Sequence, residues 1–256
     1  MNLIVPESLD DALKNVLGPT SMEIGEDIKT LYKTGRDLIL RKGLSKIEDI
    51  NDGQMANLRV ARDVFWNGSF SNEAICAEYF GGILAASRSA DGKNDSGVFY
   101  VDIIKSLSSG QLKMHYIIYR CLNRALLTNE EKRTINPGQE NQVSREGIFI
   151  PLLEILDQLN PEDVGAVLHG LSAKKLIGTF QTDNQKLEGE KTLPYLKVYP
   201  TSLGVQLFAI ANNKFKDWRN FSIQDFGDFD EIKLPEFCEQ SMDALLEKVG
   251  VKKENA

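Results

Sequence analysis

The stretch from Asn72 to Ser89, NEAICAEYFGGILAASRS, is apolar or small almost throughout, and between its first turn and Arg88 its one charged residue is Glu78. Ser71 is the expected cap, with Glu73 and Ala74 in the first turn. A helix apolar nearly all round belongs in the middle of a bundle. Gly81 and Gly82 lie side by side within it, and each glycine costs a helix about 1 kcal/mol in propensity. The expected compensation is close approach by a neighbouring helix; a ligand lying over the glycines and a kink are the other readings.

The flanking pattern is also helical. Ser8 opens a first helix, with Asp10 and Asp11 in its first turn, and Gly18-Pro19 ends it. TSME at 20–23 reads as a capping box, followed by a helix with Ile24, Ile28, Leu31, Leu38 and Ile39 on one side, running to Lys42 before Gly43. Another helix is expected from Asp52, with Met55, Leu58, Arg62 and Phe65 at helical spacing, stopped by Asn67-Gly68. Residues 98–108 and 109–127 give a short and a long amphipathic helix, the second striped by Leu112, Tyr116, Tyr119, Leu122 and Leu126.

Residues 128–147 are polar and aperiodic and form the best boundary. Beyond them the pattern changes. IFIPLLEILDQL (148–159) is helical or mixed; Asn160 and Pro161 cap and open a helix; SAKKLIG reads as a second short helix ending at Gly178; TFQTD and YLKVYPT read as the arms of a β-hairpin; and 201–212 form a closing helix. Helix, helix, hairpin, helix is the order of a winged-helix unit. The expected fold class is mainly α: an N-terminal helical bundle (1–127), a polar linker (128–147), a winged-helix-like α+β unit with a small β-hairpin (148–213), and an acidic, aromatic tail with a final helix from about Ser241 to Val249 (214–256).

Composition sharpens this only in places. The chain has 256 residues and a net charge of −7, and residues 221–256 alone carry nine acidic against four basic residues. Between 160 and 200 five Lys/Arg balance five Asp/Glu, weak support for nucleic-acid binding, which leans on several cations neutralising phosphates. The cations to test for a nucleic-acid or partner contact are Lys174, Lys175, Lys186 and Lys191. There is no run of 18 apolar residues, so no membrane span is expected, and the first residues do not read as a secretory signal. The three cysteines, Cys76, Cys121 and Cys238, are scattered and odd in number, which argues for a reducing compartment and against a disulfide framework.

Chemical motifs are scarce. His115 and His169 have no Cys or His partners at zinc-ligand spacing. No phosphate loop or nucleophile elbow is present. EGEK at 188–191 has the wrong spacing for a metal-dependent nuclease and reads as a solvated hairpin tip. The adjacent carboxylate pairs sit at helix starts or in loops, where the helix dipole and solvation explain them. No catalytic residue, cofactor or metal is expected. The helix over 20–42 carries Lys29, Lys33, Arg36, Arg41 and Lys42, but interleaved acids favour a solvated face over a membrane-surface one.

Three stretches together, LGPTSMEIGEDIKTLY, NDGQMANLRVARDVFWNGSFSNEAICAEYFGGILAASRS and SGVFYVDIIKSLSSGQLKMHYIIYR, resemble the Abi-alpha (abortive infection alpha) family of bacterial proteins. The family's central helix pattern, Glu-aromatic-small-x-Leu-Leu-Ala, is met here by Glu78, Tyr79, Phe80, Gly81, Gly82, Ile83, Leu84 and Ala85. The glycine pair departs from the tryptophan-containing or alanine-rich run more usual in the family. The resemblance spans roughly residues 12–210. It implies a cytoplasmic bacterial protein tied to defence against phage, and it carries over no catalytic residues. The expected function is therefore a non-enzymatic interaction protein acting on another protein, with homo-oligomerisation open; the alternative is a winged-helix DNA-binding regulator. An enzyme of unrecognised type and a membrane-surface effector are more distant rivals.

Overall fold

The computed structural model describes residues 21–250 apart from 72, 130–132, 160–163 and 188–190, with the side chains of 21–28 also outside the description. The expected helix from Ser8, the Thr20 cap with its Glu23 partner, and the Asn160-Pro161 helix start lie outside the described residues.

The first half is helical. Helix α1 (Ser21–Leu44) continues through Gly43, the expected stop. Gly43 remains helical because it is the contact point with α3 (Ala74–Ala86): a Cβ on Gly43 would stand 3.0 Å from the Gly81 carbonyl oxygen, and one on Gly81 would stand 2.7 Å from the Gly43 nitrogen. On its other side, a Cβ on Gly82 would run into the backbone carbonyl of Ala211. Both glycines are therefore consumed by close backbone approach, one toward each neighbouring helix. The rest of α3 is buried nearly throughout, as its apolar circumference requires.

Two expected helix starts shift. α2 spans Leu58–Gly68 and opens at Asn57, whose side chain accepts from the amides of Arg59 and Val60. Asp52 instead pairs with Arg88 at 2.5 Å, beside a two-residue antiparallel ladder of β1 (Met55–Ala56) with β2 (Arg88–Ser89). α3 takes Glu73 as its N-cap; the Ser71 hydroxyl accepts from the Glu73 amide and so forms the turn ahead of the helix. α4 (Gly97–Ile104) and α5 (Ser109–Thr128) follow, the latter opened by a reciprocal capping box of Ser108 and Gln111.

The segment 148–159 is mixed: β3 (Ile148–Pro151) leads into the short α6 (Leu153–Leu156). After α7 (Val164–Ala173) come β4 (Ile177–Lys186), β5 (Thr192–Pro200) and α8 (Ser202–Ala211). The three strands form an antiparallel sheet in the order β3-β5-β4, with Leu196 of β5 opposite Ile150 on one side and Thr182 on the other. The second short helix expected over SAKKLIG is absent. α7 ends in a Schellman-type turn: Lys175 is left-handed (φ +58), its amide donates to the Ser172 carbonyl, and the Leu176 amide donates to the Leu171 carbonyl. Leu176 and Ile177, both buried, then enter the strand. Lysine in place of the usual glycine hides this stop.

The core is one contiguous cluster running from Ile39 of α1 through α3, α5 and the sheet to Phe229. The segment expected as a polar linker is anchored by buried Ile135, whose amide donates to the Arg219 carbonyl, and by buried Val143 in a 3₁₀ turn (Glu140–Arg145). The aromatic tail folds back across α5, burying Phe221, Phe226 and Phe229. A last helix, α9 (Met242–Lys248), is capped by Ser241; its Leu245 and Leu246 pack with Leu187 and Leu193 at the hairpin tip.

Replacing Gly82 by Leu overfills the α3–α8 contact and is expected to destabilise by about 1–3 kcal/mol, read from the denaturant midpoint. Gly165→Ala, on a helical site with open space around it, is the control and should hold or raise the midpoint.

Candidate functional site

The four lysines singled out by the sequence fall into two separated pairs. Lys174 and Lys175 are exposed in the turn after α7, at the start of β4. Lys186 ends β4 and Lys191 precedes β5, both exposed at the hairpin tip. Ten residues of β4 lie between the pairs, a span on the order of 30 Å at strand rise. They do not converge. The outward residues of α7, ahead of the first pair, are Gly165, Ala166, His169 and Ala173, without a cation. His169 packs its ring edge-on against Phe180, 5.1 Å between centroids. Of EGEK, only Lys191 lies within the described residues.

Two clusters of polar chemistry centre on buried side chains and hold elements together. Glu78, on the apolar α3, is 5% exposed and receives Lys42 at 2.8 Å and Lys46 at 2.5 Å. Lys46 also donates to the Glu78 carbonyl (2.7 Å) and lies 4.4 Å over the Phe229 ring; Lys42 reaches Glu231 at 3.3 Å. Burial opposes the charge on both lysines. For Lys46 it outweighs the attraction of Glu78 and lowers the pKa to about 8. For Lys42 the hydrogen bonds and attraction of Glu78 and Glu231 outweigh it, and the pKa rises.

A second cluster lies on α5. Arg120, 3% exposed, donates to Asp228 (2.7 Å), Asp225 (2.6 Å) and Asn123 (2.8 Å). Asn123 in turn donates to the carbonyls of Phe221 and Gln224 and accepts from the Phe226 amide. The Tyr116 hydroxyl accepts from the Phe229 amide at 2.7 Å. These contacts fasten the tail loop to the helix. Charge-assisted bonds to Asp228 and Asp225 are also why their carboxyls titrate low: for Asp228 the Arg120 hydrogen bond leads, and for Asp225 burial works the other way and is outweighed by the Gly227 amide and Arg120.

His115 sits between these clusters, fully buried, its Nδ1 sharing a 2.5 Å hydrogen bond with the Tyr79 hydroxyl. Among the described residues its Nε2 has no hydrogen-bond partner, and the nearby Gly204 backbone favours the cation, against the effect of burial. Burial pushes its pKa down to about 3, so the ring is neutral at ordinary pH. Among the described residues, no group of three or more His, Cys, Asp or Glu side chains is placed to hold a metal ion. Sequence reading missed Arg120, Asn123 and Lys46. The available signal was Arg120 and Asn123 inside YIIYRCLNRALL, polar residues in a helix that is buried nearly all round.

Exposed apolar chemistry gathers along the α1–α2 seam. A groove of about 270 Å³ is lined by Leu40, Leu44, Ile47, Ala61, Phe65 and Leu84, among others. Leu58 beside it is 85% exposed. One to two turns further along, Trp66 and Phe70 meet edge-on at 6.1 Å and Phe70 packs against Tyr32 of α1 at 5.6 Å, with Trp66 64% exposed. By contrast, a cavity of about 430 Å³ between the start of α5 and α7 is lined mainly by Ser108, Ser109, Gln111, Gln158 and Val167, and among the described residues its one titratable group is Lys113, which pairs with Glu73 at 3.2 Å.

The denatured chain takes up a proton on His115 below pH about 6.5, whereas the native ring resists protonation until about pH 3. Stability therefore falls as pH falls through that window, by up to about 1.4 kcal/mol per pH unit from this group. His115→Phe should flatten that slope in urea unfolding between pH 6 and 4; an unchanged slope would assign the acid sensitivity elsewhere. Comparison with family models, with curated proteins and with solved structures finds no match to this chain, so what it does has to be read from its own surface.

Proposed function

We propose that this chain is a non-enzymatic interaction protein that engages another protein through the apolar seam of α1 and α2. The observation that carries the reading is the contrast between the two kinds of site. The converging charged groups pair with one another around the buried Glu78 and Arg120. The accessible apolar chemistry is a groove and an aromatic cluster with exposed Leu44, Leu58, Trp66 and Phe70. Monomeric proteins rarely leave contiguous apolar surface uncovered without using it, and aromatic anchors dominate protein interfaces. The Abi-alpha-like stretches at residues 17–32 and 51–89 cover the first half of α1 and all of α2, which supports a role in bacterial defence against phage.

The winged-helix DNA-binding reading keeps one supporting observation. A strand, two helices and a hairpin, with sheet order β3-β5-β4, is the connectivity such a unit uses. Its weakness is the uncharged outer face of α7 and the two distant lysine pairs.

The test is phage plating on a bacterial host carrying the gene, with culture survival followed at high phage dose. The expected result is fewer plaques with culture collapse, lost in a Leu58→Asp/Trp66→Glu double variant whose thermal midpoint matches the parent. Protection that survives this variant but is lost on reversing Lys174, Lys175, Lys186 and Lys191 to Glu, together with a gel shift that weakens steeply with salt, would replace this reading with DNA binding.

A further inference from the structure

Cys121 and Cys238, 117 positions apart, place their sulfurs 2.7 Å from each other, both as free thiols. Cys121 is a buried residue of α5, while Cys238 is partly exposed on the tail. The surrounding contacts hold the tail in register there. The Glu236 amide donates to Glu154 (2.6 Å), Glu239 exchanges backbone hydrogen bonds with Phe149 of β3 (2.8 and 3.2 Å), and Gln240 donates to Glu146 (2.8 Å). A disulfide needs its sulfurs about 2.05 Å apart, so closure asks the two sulfurs to approach by about 0.7 Å.

We propose that Cys121 and Cys238 form a thiol–disulfide site whose oxidation by a small-molecule disulfide bolts the C-terminal segment to α5. The inference is independent of the interaction reading above. Cys238, the accessible partner, loses its proton to solvent; its thiolate attacks one sulfur of the small disulfide, forming a mixed disulfide and expelling one small thiolate. Cys121 then loses its proton, attacks the Cys238 sulfur and expels the second. Two protein thiols become one disulfide, and one small disulfide becomes two thiols. The bond to Cys121 and burial hold the Cys238 thiol protonated, so the first attack comes from chains in which that contact has opened, and proximity then carries the closure. The tethered segment leads directly into α9, whose Leu245 and Leu246 cover Leu187 and Leu193 at the hairpin tip. Oxidation therefore locks a helix over the hairpin, and reduction leaves it held by packing and hydrogen bonds alone. Cys76, buried on α3, takes no part.

The test incubates the full chain with glutathione disulfide, then counts thiols under denaturing conditions and maps peptides by mass. The expected outcome is one thiol in place of the three that the sequence supplies, a mass lower by two hydrogens, and a Cys121–Cys238 cross-linked peptide. Cys121→Ser should instead accumulate a glutathione adduct at Cys238, and Cys238→Ser should retain two thiols with no cross-link. Hydrogen exchange of the α9 amides should slow about tenfold in the oxidised chain if local opening is restrained. Three thiols after oxidation, or a cross-link to Cys76, would overturn the assignment. A Cys121–Cys238 disulfide that leaves α9 exchange unchanged would overturn the lock.

Discussion

The contact on which everything else depends is the approach of three backbones at Gly81 and Gly82. α3 lies between α1 and α8, and at these two positions no side chain fits on either side. Close approach brings dispersion contacts along both helices and offsets the propensity lost to two adjacent glycines. It also joins the helical first half to α8, which follows directly on the three-stranded sheet. The two halves of the chain thus share one core, and a change at this crossing reaches both.

Placing α3 so deeply forces a consequence for Glu78. A carboxylate inside a core is tolerated only with partners, and Lys42 and Lys46 supply them from the end of α1 and the turn after it. Lys46 is itself steadied by Phe229 and, through its carbonyl, by Asn213. The buried charge therefore specifies where α1 must end and where the tail must return. Arg120 and Asn123 do the same for residues 221–228. Removing one member of such a set typically costs several kcal/mol, because the remaining charge is left buried and unpaired. These groups organise the fold.

Much of this architecture was legible in hydrophobic spacing. The all-round apolar character of α3 and its glycine pair pointed to a central helix under close contact, and the hairpin and the Ser241 cap followed from turn and capping chemistry. What was hidden depends on tertiary partners. Gly43 reads as a stop until Gly81 is placed against it. Lys175 reads as helical until its carbonyl receives the Thr201 hydroxyl and its left-handed turn is set. The four lysines looked like one group because they are close in sequence, but an extended strand separates its ends far more than a helix of equal length. The apolar seam escaped notice for the opposite reason: Met55, Leu58, Arg62 and Phe65 share helical spacing, which does not say how exposed each is, and Leu58 lies 85% exposed.

The backbone pairing of Glu239 with Phe149 has one more effect. β3 borders the three-stranded sheet, and an open sheet border offers free amides and carbonyls to any other extended chain. Glu239 occupies this border at Phe149, and Pro151 ends the strand without an amide to offer. At the opposite border, β4 presents exposed Gln181, Thr182, Asp183 and Asn184, side chains that favour water over a second sheet. The C-terminal segment thus covers part of a strand border whose amides and carbonyls would otherwise be open to another extended chain.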